Sequence, residues 1–265
     1  MFTISPVSFD VLPSRQNVYV QPGVDWTMAQ LQHAQVRKAL GNPPQYEVPV
    51  KGPVDIVFAS NSGLSLPNLP TPTFVLSRMK YAQRRAESAF IQQMVAARLV
   101  EFPGPDPFEG EGECKWFHQG RLLVVGYGFR CTRRSVQVLE RLLNEIYAAH
   151  GATPPKVVGV KLISPLFYHL DMALLPVAED HALVNPAAFH DLSALQDHLQ
   201  LTLFKSSDTF ALNAVIQGKR LITHKLTAQT RRQLAKLTGK QIVEVDVGEF
   251  EKAGGSIRCL VCFLF

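Results

Sequence analysis

The sequence predicts an α/β protein in which one unit of strands and a helix recurs. Its 265 residues are 46% apolar and 18% charged, an ordinary globular composition that excludes collagen-like, coiled-coil and disordered chains. β-rich runs alternate with helical stretches, and a strand–strand–helix–strand order returns at intervals of roughly 50 residues, as in repeat architectures. No stretch rich in Ser, Gly or Pro divides the chain, so residues 1–265 are interpreted as a single domain.

The elements of the first half are predicted from hydrophobic spacing and turn residues. Gln119-Gly120 separates two runs that are predicted to form a hairpin, and Gly151 occupies the position of a glycine that ends a helix. The predicted strands are 54–60, 74–77, 115–118, 121–126 and 157–163. The predicted helices, which carry apolar residues at roughly helical spacing, are 81–100 and 135–150.

The second half repeats the pattern around a turn at Gln217-Gly218. The predicted strands are 172–176, 182–184, 210–216, 220–222, 242–247 and 257–265. The predicted helices are 186–199 and 227–237. The same alternation also fits a doubly wound parallel sheet, which is the main alternative architecture.

Charge and hydropathy exclude several partners. Lys and Arg number 27 against 22 Asp and Glu, a mild excess that is spread along the chain and does not form the dense basic stripe of a nucleic-acid binder. No segment reaches the roughly 18 apolar residues that a membrane span needs, and the first residues lack a secretory pattern. We therefore expect no nucleic acid, no membrane and a cytoplasmic location. In that location we expect the four cysteines to be reduced thiols.

One cysteine stands out by its surroundings. Cys259 and Cys262 lie in the predicted strand 257–265, where residues three apart point to opposite faces, so neither a redox pair nor a shared metal is expected. Gly254 and Gly255 precede Cys259 and allow a close approach of the backbone to another group. The charge of Arg258 would favour a thiolate. The histidines form no zinc motif and no phosphate-binding glycine loop is present, so no metal and no cofactor are predicted.

Two further motifs carry titratable groups. His169 and Asp171 would face the same way on a strand, where the carboxylate can orient the imidazole or bind a cation beside it. Glu109, Glu111 and Glu113 alternate with glycines, which indicates either an exposed acidic turn or a cluster for a cation. A guanidinium suits such paired carboxylates because its five N–H donors lie in one plane.

Together these motifs resemble the guanidino-group-modifying enzymes of the pentein superfamily. That group contains dimethylarginine dimethylaminohydrolases, arginine deiminases, arginine dihydrolases and glycine amidinotransferases. The resemblance extends from about residue 55 to the C-terminal residue, and its specific part is the His-x-Asp motif with a late Gly-Gly-x-x-x-Cys. The motifs occur in the family's order at 58–64, 108–113, 126–130, 169–171 and 254–259. The family fold is a five-bladed α/β propeller of ββαβ units, in agreement with the recurrence above.

The resemblance implies a catalytic set. Cys259 would be the nucleophile that attacks the guanidinium carbon and forms a covalent thiouronium adduct. His169 would protonate the leaving group and then act as base toward water. Glu109 and Asp171 would hold guanidinium nitrogens. Covalent catalysis of this kind divides one difficult hydrolysis into two easier steps.

The resemblance also implies substrate-binding residues. Arg84 and Arg130 match arginines that bind the substrate α-carboxylate, and Phe58 is predicted to line the same site. Asn61 stands where many relatives carry Asp, as it does in a subset that resembles the arginine dihydrolases. Glu113 replaces the usual Asp, which leaves its role and that of Glu111 open.

The expected function is hydrolysis of the guanidino group of arginine or a methylated arginine. The products would be citrulline or ornithine with ammonia or methylamine, and a homodimer is compatible with the family. Two alternatives stay open: transfer of the amidino group to an acceptor amine, and a pentein that binds a partner without catalysis.

Overall fold

The computed structural model describes residues 1–13 and 17–265, and its described residues form five small sheets. Four sheets share one topology: two antiparallel strands, a helical segment, and a third strand parallel to the middle one. The first is β3 (Gly63–Leu66), β4 (Thr73–Leu76), α2 (Glu87–Met94) and β5 (Arg98–Glu101). The second is β6 (Cys114–Phe117), β7 (Leu122–Tyr127), α3 (Arg133–Ala149) and β8 (Lys156–Lys161). These units confirm the predicted ββαβ repeat and exclude the doubly wound alternative.

The third and fourth sheets follow the same order. The third is β9 (Leu174–Ala178), β10 (His181–Val184), α4 (Ser193–Gln196) and β11 (Gln200–Leu203). The fourth is β12 (Val215–Gln217), β13 (Arg220–Thr223), α5 (Ala228–Thr238) and β14 (Gln241–Glu244). A short helix, α6 (Gly248–Glu251), follows.

The fifth sheet joins segments that are far apart in the sequence. β1 (Thr3–Ile4) and β2 (Gln45–Tyr46) are parallel, with α1 (Trp26–Ala39) between them. Phe2 forms an antiparallel bridge with Cys262 on the other side of β1, through hydrogen bonds of 2.8 and 3.0 Å. This arrangement is again ββαβ, with its first strand supplied by the segment around Cys262. This unit was not predicted, since the first predicted element begins at residue 54.

Two predicted strands are short 3₁₀ turns instead. The run 54–60 forms the turns Val54–Val57 and Ala59–Ser62, and 257–265 contains the turn Ile257–Leu260. Local hydrogen bonds hold these turns, from Asn61 N to Phe58 O at 3.0 Å and from Cys259 N to Ser256 O at 3.1 Å. Most of their apolar side chains are buried, as they would be in a strand. A run of apolar residues therefore does not distinguish a buried strand from a buried 3₁₀ turn.

Two predicted helices are also too long. The stretch 81–100 contains a 3₁₀ turn at Ala82–Arg84 and α2, and then enters β5. The stretch 186–199 contains a 3₁₀ turn and the short α4, ahead of the unpredicted β11. By contrast, α3 matches its prediction closely. It buries Val136, Leu139, Leu143 and Ile146, one face of a 3.6-residue period. No helix among the described residues has the length and apolarity that crossing a membrane requires.

We expect the Phe2 bridge to stabilise the whole fold. Phe2→Ala removes a side chain that is 1% exposed and should lower the free energy of unfolding by about 3–5 kcal/mol in urea titrations. Phe265→Ala, at a side chain that is 55% exposed, is the matched control and should change it little. Equal effects of the two variants would contradict a stabilising role for the buried Phe2 side chain beside the bridge.

Candidate active site

The candidate site lies where turns from several repeat units meet. Each of these turns precedes the first strand of its sheet, and they pack against one another. The turns are Ala59–Ser62, Gly110–Gly112, Leu170–Met172 and Ile257–Leu260. They carry or adjoin Asn61, Glu109, Asp171 and Cys259, so the structure brings these four predicted residues together. His169 lies at the start of the third turn and not on a strand, as the sequence analysis had assumed.

The glycines of the 108–113 motif are needed for this close packing. Gly110 has a φ of +60°, and a Cβ there would lie 2.4 Å from the carbonyl oxygen of Gly63. A Cβ on Gly112 would lie 2.5 Å from Asn61 Nδ2. The motif is therefore not an exposed acidic turn, and all three of its glutamates are buried.

Cys259 is held beside an acid and an amide. Its Sγ lies 3.7 Å from Asp171 Oδ2 and 3.2 Å from Asn213 Nδ2, which donates to it. Burial and the negative charge of Asp171 raise the pKa of the Cys259 thiol to about 12. The thiol is therefore protonated in the free protein, and a cation placed beside it would lower that pKa.

Arg258 favours the Cys259 thiolate, as its sequence position indicated, but only weakly. Its guanidinium donates to Glu111 Oε2 and to the carbonyl oxygen of Val261, both at 2.7 Å, and lies over the ring of Phe263. Its lowering effect on the pKa of Cys259 is smaller than the opposing effects of burial and Asp171. Arg258 thus acts mainly within its pair with Glu111.

Glu109 is an ionised carboxylate in the interior. It accepts hydrogen bonds from His169 Nε2 at 2.9 Å, Arg130 Nη1 at 3.2 Å and the backbone N of Lys80 at 3.1 Å. Burial alone would raise its pKa, but Arg130 and His169 outweigh burial and hold the pKa well below the usual range. Burial in turn lowers the pKa of His169. A neutral ring that donates from Nε2 carries its lone pair on Nδ1, the atom able to accept a proton.

Glu113 is a buried carboxyl next to this pair. Its Oε1 lies 3.8 Å from His169 Nε2, and neither of its oxygens has a hydrogen-bond partner among the described residues. Burial, together with the charges of Glu109 and Asp171, raises its pKa well above the usual value. Burial and these neighbours therefore favour the neutral form of Glu113.

A cavity of about 430 Å³ opens onto these groups. It is lined by most of the predicted site residues: Phe58, Asn61, Arg84, Arg130, His169 and Cys259. The Arg130 guanidinium lies between the rings of Tyr81 and Tyr168, at 4.5 and 4.7 Å from their centroids. Stacking and the ion pair with Glu109 fix its plane.

Arg84 has more partners than the sequence suggested. Nε and Nη2 donate to the Glu87 carboxylate at 2.7 and 2.9 Å, and Nη1 donates to Asn61 Oδ1 at 3.1 Å. Glu87 was not predicted, although its i, i+3 spacing from Arg84 is a recognisable signal. Asn213 and the cavity residue Asp55 were not predicted either. Asn213 had one signal, its position just before the first strand of the fourth sheet, and Asp55 had none. Among the described residues, no group of three or more His, Cys, Asp or Glu could hold a metal ion.

Comparisons with known proteins agree on one set of relatives. No family model matches the chain. The chain is 31% identical over 222 residues to the bifunctional arginine dihydrolase/ornithine cyclodeaminase AgrE of Nostoc sp., covering 80% of this chain and 29% of AgrE. It is 28% identical over 270 residues to the dimethylarginine dimethylaminohydrolase of Mycobacterium tuberculosis, covering 97% of this chain and 83% of that enzyme. The chain thus spans less than a third of the length of AgrE.

Solved structures give the same picture. A cysteine-to-serine variant of the N-terminal domain of ArgZ, a cyanobacterial arginine dihydrolase bound to its substrate, superposes with a TM-score of 0.84 at 26% identity, covering 98% of this chain and 95% of that one. A dimethylarginine dimethylaminohydrolase structure superposes with a TM-score of 0.74 at 19% identity, covering 98% and 96%, which shows a shared fold.

The raised pKa of Glu113 predicts a pH effect on stability. Because the folded protein retains a proton that the unfolded chain releases above its ordinary pKa, Glu113 destabilises the fold increasingly as the pH rises from 4 toward its folded pKa. Glu113→Gln is permanently neutral, so it should gain stability over the natural protein by up to about 1.4 kcal/mol per pH unit in that window. Urea titrations at pH 5 and pH 8 measure the gain.

Glu109→Gln is the control with the opposite sign. The pKa of Glu109 is lowered, so its charge stabilises the fold above the ordinary pKa, and the neutral variant should be less stable than the natural protein by nearly the same amount at pH 5 and pH 8. If the difference in the free energy of unfolding between Glu113→Gln and the natural protein is the same at pH 5 and pH 8, Glu113 is ionised at both pH values and its pKa is not raised.

Proposed function

We propose that this chain, which belongs to the guanidino-group-modifying enzymes of the pentein superfamily, hydrolyses the guanidino group of arginine or a closely related arginine. The observation that carries the proposal is that Cys259 and His169 line one cavity, with Asp171 in contact with Cys259 and Glu109 hydrogen-bonded to His169. AgrE and ArgZ are arginine dihydrolases, and the mycobacterial relative is named for dimethylarginine.

The first half-reaction uses the charge of the substrate. A guanidinium between Asp171 and Asn61 places a cation beside the Cys259 thiol, which opposes the effect of Asp171 and favours the thiolate. The thiol proton passes to Nδ1 of His169, the sulfur attacks the guanidinium carbon, and an S–C bond forms. The C–N bond to the leaving nitrogen then breaks, and that nitrogen takes a proton from His169 and leaves as ammonia or methylamine.

The second half-reaction restores the thiol. His169, now neutral, accepts a proton from water, which attacks the carbon of the thiouronium adduct. The C–S bond breaks, and the product is the ureido compound, citrulline when the substrate is arginine. The ionised Glu109 stabilises His169 whenever the ring is charged, at a hydrogen-bond distance of 2.9 Å.

The cavity mouth would select an α-amino acid. Arg130 and Arg84 line the cavity and present guanidinium groups that would bind the α-carboxylate. Asp55 lines the same cavity, and its carboxyl group would accept hydrogen bonds from the α-amino group. Phe58, Val11 and Val20 line the cavity and would pack against the methylene chain.

Asn61 supports a second hydrolysis. Its Oδ1 accepts from Arg84 and its Nδ2 donates to the carbonyl of Glu109, so this wall of the pocket is neutral. A neutral amide can hold a neutral ureido group, whereas a carboxylate at this position would be a second negative charge on Arg84, which Glu87 already pairs, and would lack the charge of a guanidinium substrate. We therefore favour net dihydrolysis to ornithine, CO2 and two molecules of ammonia. Cytoplasmic location, a homodimer and a single catalytic domain stay predictions.

The proposal predicts a covalent adduct on Cys259. After a rapid acid quench with arginine, peptide mass spectrometry should find the adduct on Cys259 alone. Cys259→Ser should lower kcat/KM by at least about 10³-fold, whereas Cys262→Ala, a buried thiol three positions away, should keep the activity. An unmodified Cys259, together with no ammonia or methylamine from arginine, methylarginines, agmatine or guanidinoacetate, would disprove the function. Products that appear only with an added acceptor amine would indicate amidino transfer.

Asn61→Asp should separate the two hydrolyses. The carboxylate suits a guanidinium but not a ureido group, so citrulline should accumulate and the ornithine-to-citrulline ratio should fall by about tenfold or more. Product analysis by chromatography measures the ratio. Asn68→Asp, in an exposed turn, is the control and should leave it unchanged. An unchanged ratio in Asn61→Asp would exclude Asn61 as the residue that permits the second step.

A further inference from the structure

A second cavity, of about 190 Å³, lies on the other side of Asp171 from the nucleophile. Asp171 lines this cavity, and its Oδ2 is 3.7 Å from the Sγ of Cys259, which lines the first cavity. The second cavity contains none of the catalytic groups except Asp171. It is therefore a separate space that adjoins the reaction centre through one side chain.

The polar end of this cavity is a buried ammonium group. Lys115 is 6% exposed, and its Nζ donates to the backbone carbonyls of Glu111 and Cys114 at 2.6 and 3.1 Å. No carboxylate among the described residues lies within salt-bridge distance of it. An ammonium has three donors, so one N–H is left for a further acceptor. A buried charge without an ionic partner is costly, and an incoming anion would relieve that cost.

The nearby charges favour an anion at Lys115 in particular. Arg258 lines the same cavity, and of the surrounding charges its repulsion has the largest effect on Lys115. Burial and Arg258 together lower the pKa of Lys115 to about 8, so a bound anion would stabilise the charged amine. Glu111 is already engaged by Arg258 and by the backbone N of Phe263. Asp171 also lines the cavity, and the repulsion from its carboxylate would disfavour a ligand that carries more than one negative charge.

The rest of the cavity is apolar. Its walls are formed by aliphatic and aromatic side chains: Leu174, Leu175, Leu212, Val215, Ile216 and Phe263. Apolar walls with one or two placed polar groups are typical of small-molecule sites, and a cavity below roughly 300 Å³ suits a ligand smaller than a drug.

We propose that this second cavity binds a small monocarboxylate with an apolar body, with the carboxylate on Lys115 and the hydrocarbon against the apolar walls. Dicarboxylates are disfavoured by Asp171 and Glu111, and neutral amides lack the charge that Lys115 requires. The site is independent of turnover, so its test is a binding measurement and does not depend on the proposed function.

Isothermal titration calorimetry of the full chain with isovalerate, and with isovaleramide as its neutral isostere, tests the proposal. Isovalerate should bind saturably and at least about tenfold more tightly than the amide, since one charge-assisted hydrogen bond is worth this much. Lys115→Met should remove the difference, whereas Lys161→Met, at an exposed lysine, should preserve it. Succinate should bind more weakly than isovalerate.

Two further variants keep the result decisive. Ile216→Trp fills the cavity from its apolar, half-buried side and should weaken isovalerate binding even where Lys115→Met fails to fold. Arg130→Gln removes a carboxylate partner in the first cavity and should leave isovalerate binding intact. If isovalerate binding is lost in Arg130→Gln and kept in Ile216→Trp, the carboxylate binds in the first cavity and the proposal is wrong. Equal binding of isovalerate and isovaleramide would also overturn it.

Discussion

The buried charge of Glu109 is the constraint on which the rest of the site depends. A carboxylate in the interior is tolerated only when donors surround it, and Glu109 obtains them from His169, Arg130 and the backbone of Lys80. Those donors come from separate parts of the chain, so satisfying one charge fixes the imidazole, the stacked guanidinium and the mouth of the cavity together. Together with burial, the same charge raises the pKa of Glu113, because two adjacent carboxylates repel each other when both are ionised.

The repeat explains how so many polar groups reach one place. A turn precedes the first strand of each sheet, and corresponding turns present Asn61, Glu111, Asp171 and Asn213. Cys259 occupies the corresponding place in the fifth unit, three residues before Cys262 pairs with Phe2. The hydrogen bonds that close the fold therefore also hold the segment that carries the nucleophile. The position of the nucleophile therefore depends on the same hydrogen bonds that close the fold.

The sequence predicted the repeat well because hairpins and amphipathic helices are local. The hairpin around Gln119-Gly120 and the buried face of α3 follow from period and turn chemistry alone. The turns at 54–60 and 257–265 were wrong as strands because tertiary packing, not propensity, sets their backbone. Motif resemblance selected the residues around the cavity, but it could not show that Arg258 turns toward Glu111 or that Asn213 reaches Cys259. Those contacts join residues whose spacing carries no signal.

The thiol imposes an asymmetry on the proposed dihydrolysis. Arginine brings a cation that lowers the pKa of Cys259, but the citrulline formed in the first round is neutral and provides no such help. In the second round the thiol proton must therefore move to a base as the sulfur attacks, and His169 is neutral and lies beside the ionised Glu109. Glu109 stabilises the imidazolium that results. The carboxylate that organises the site thus has its largest catalytic effect when the substrate itself carries no charge.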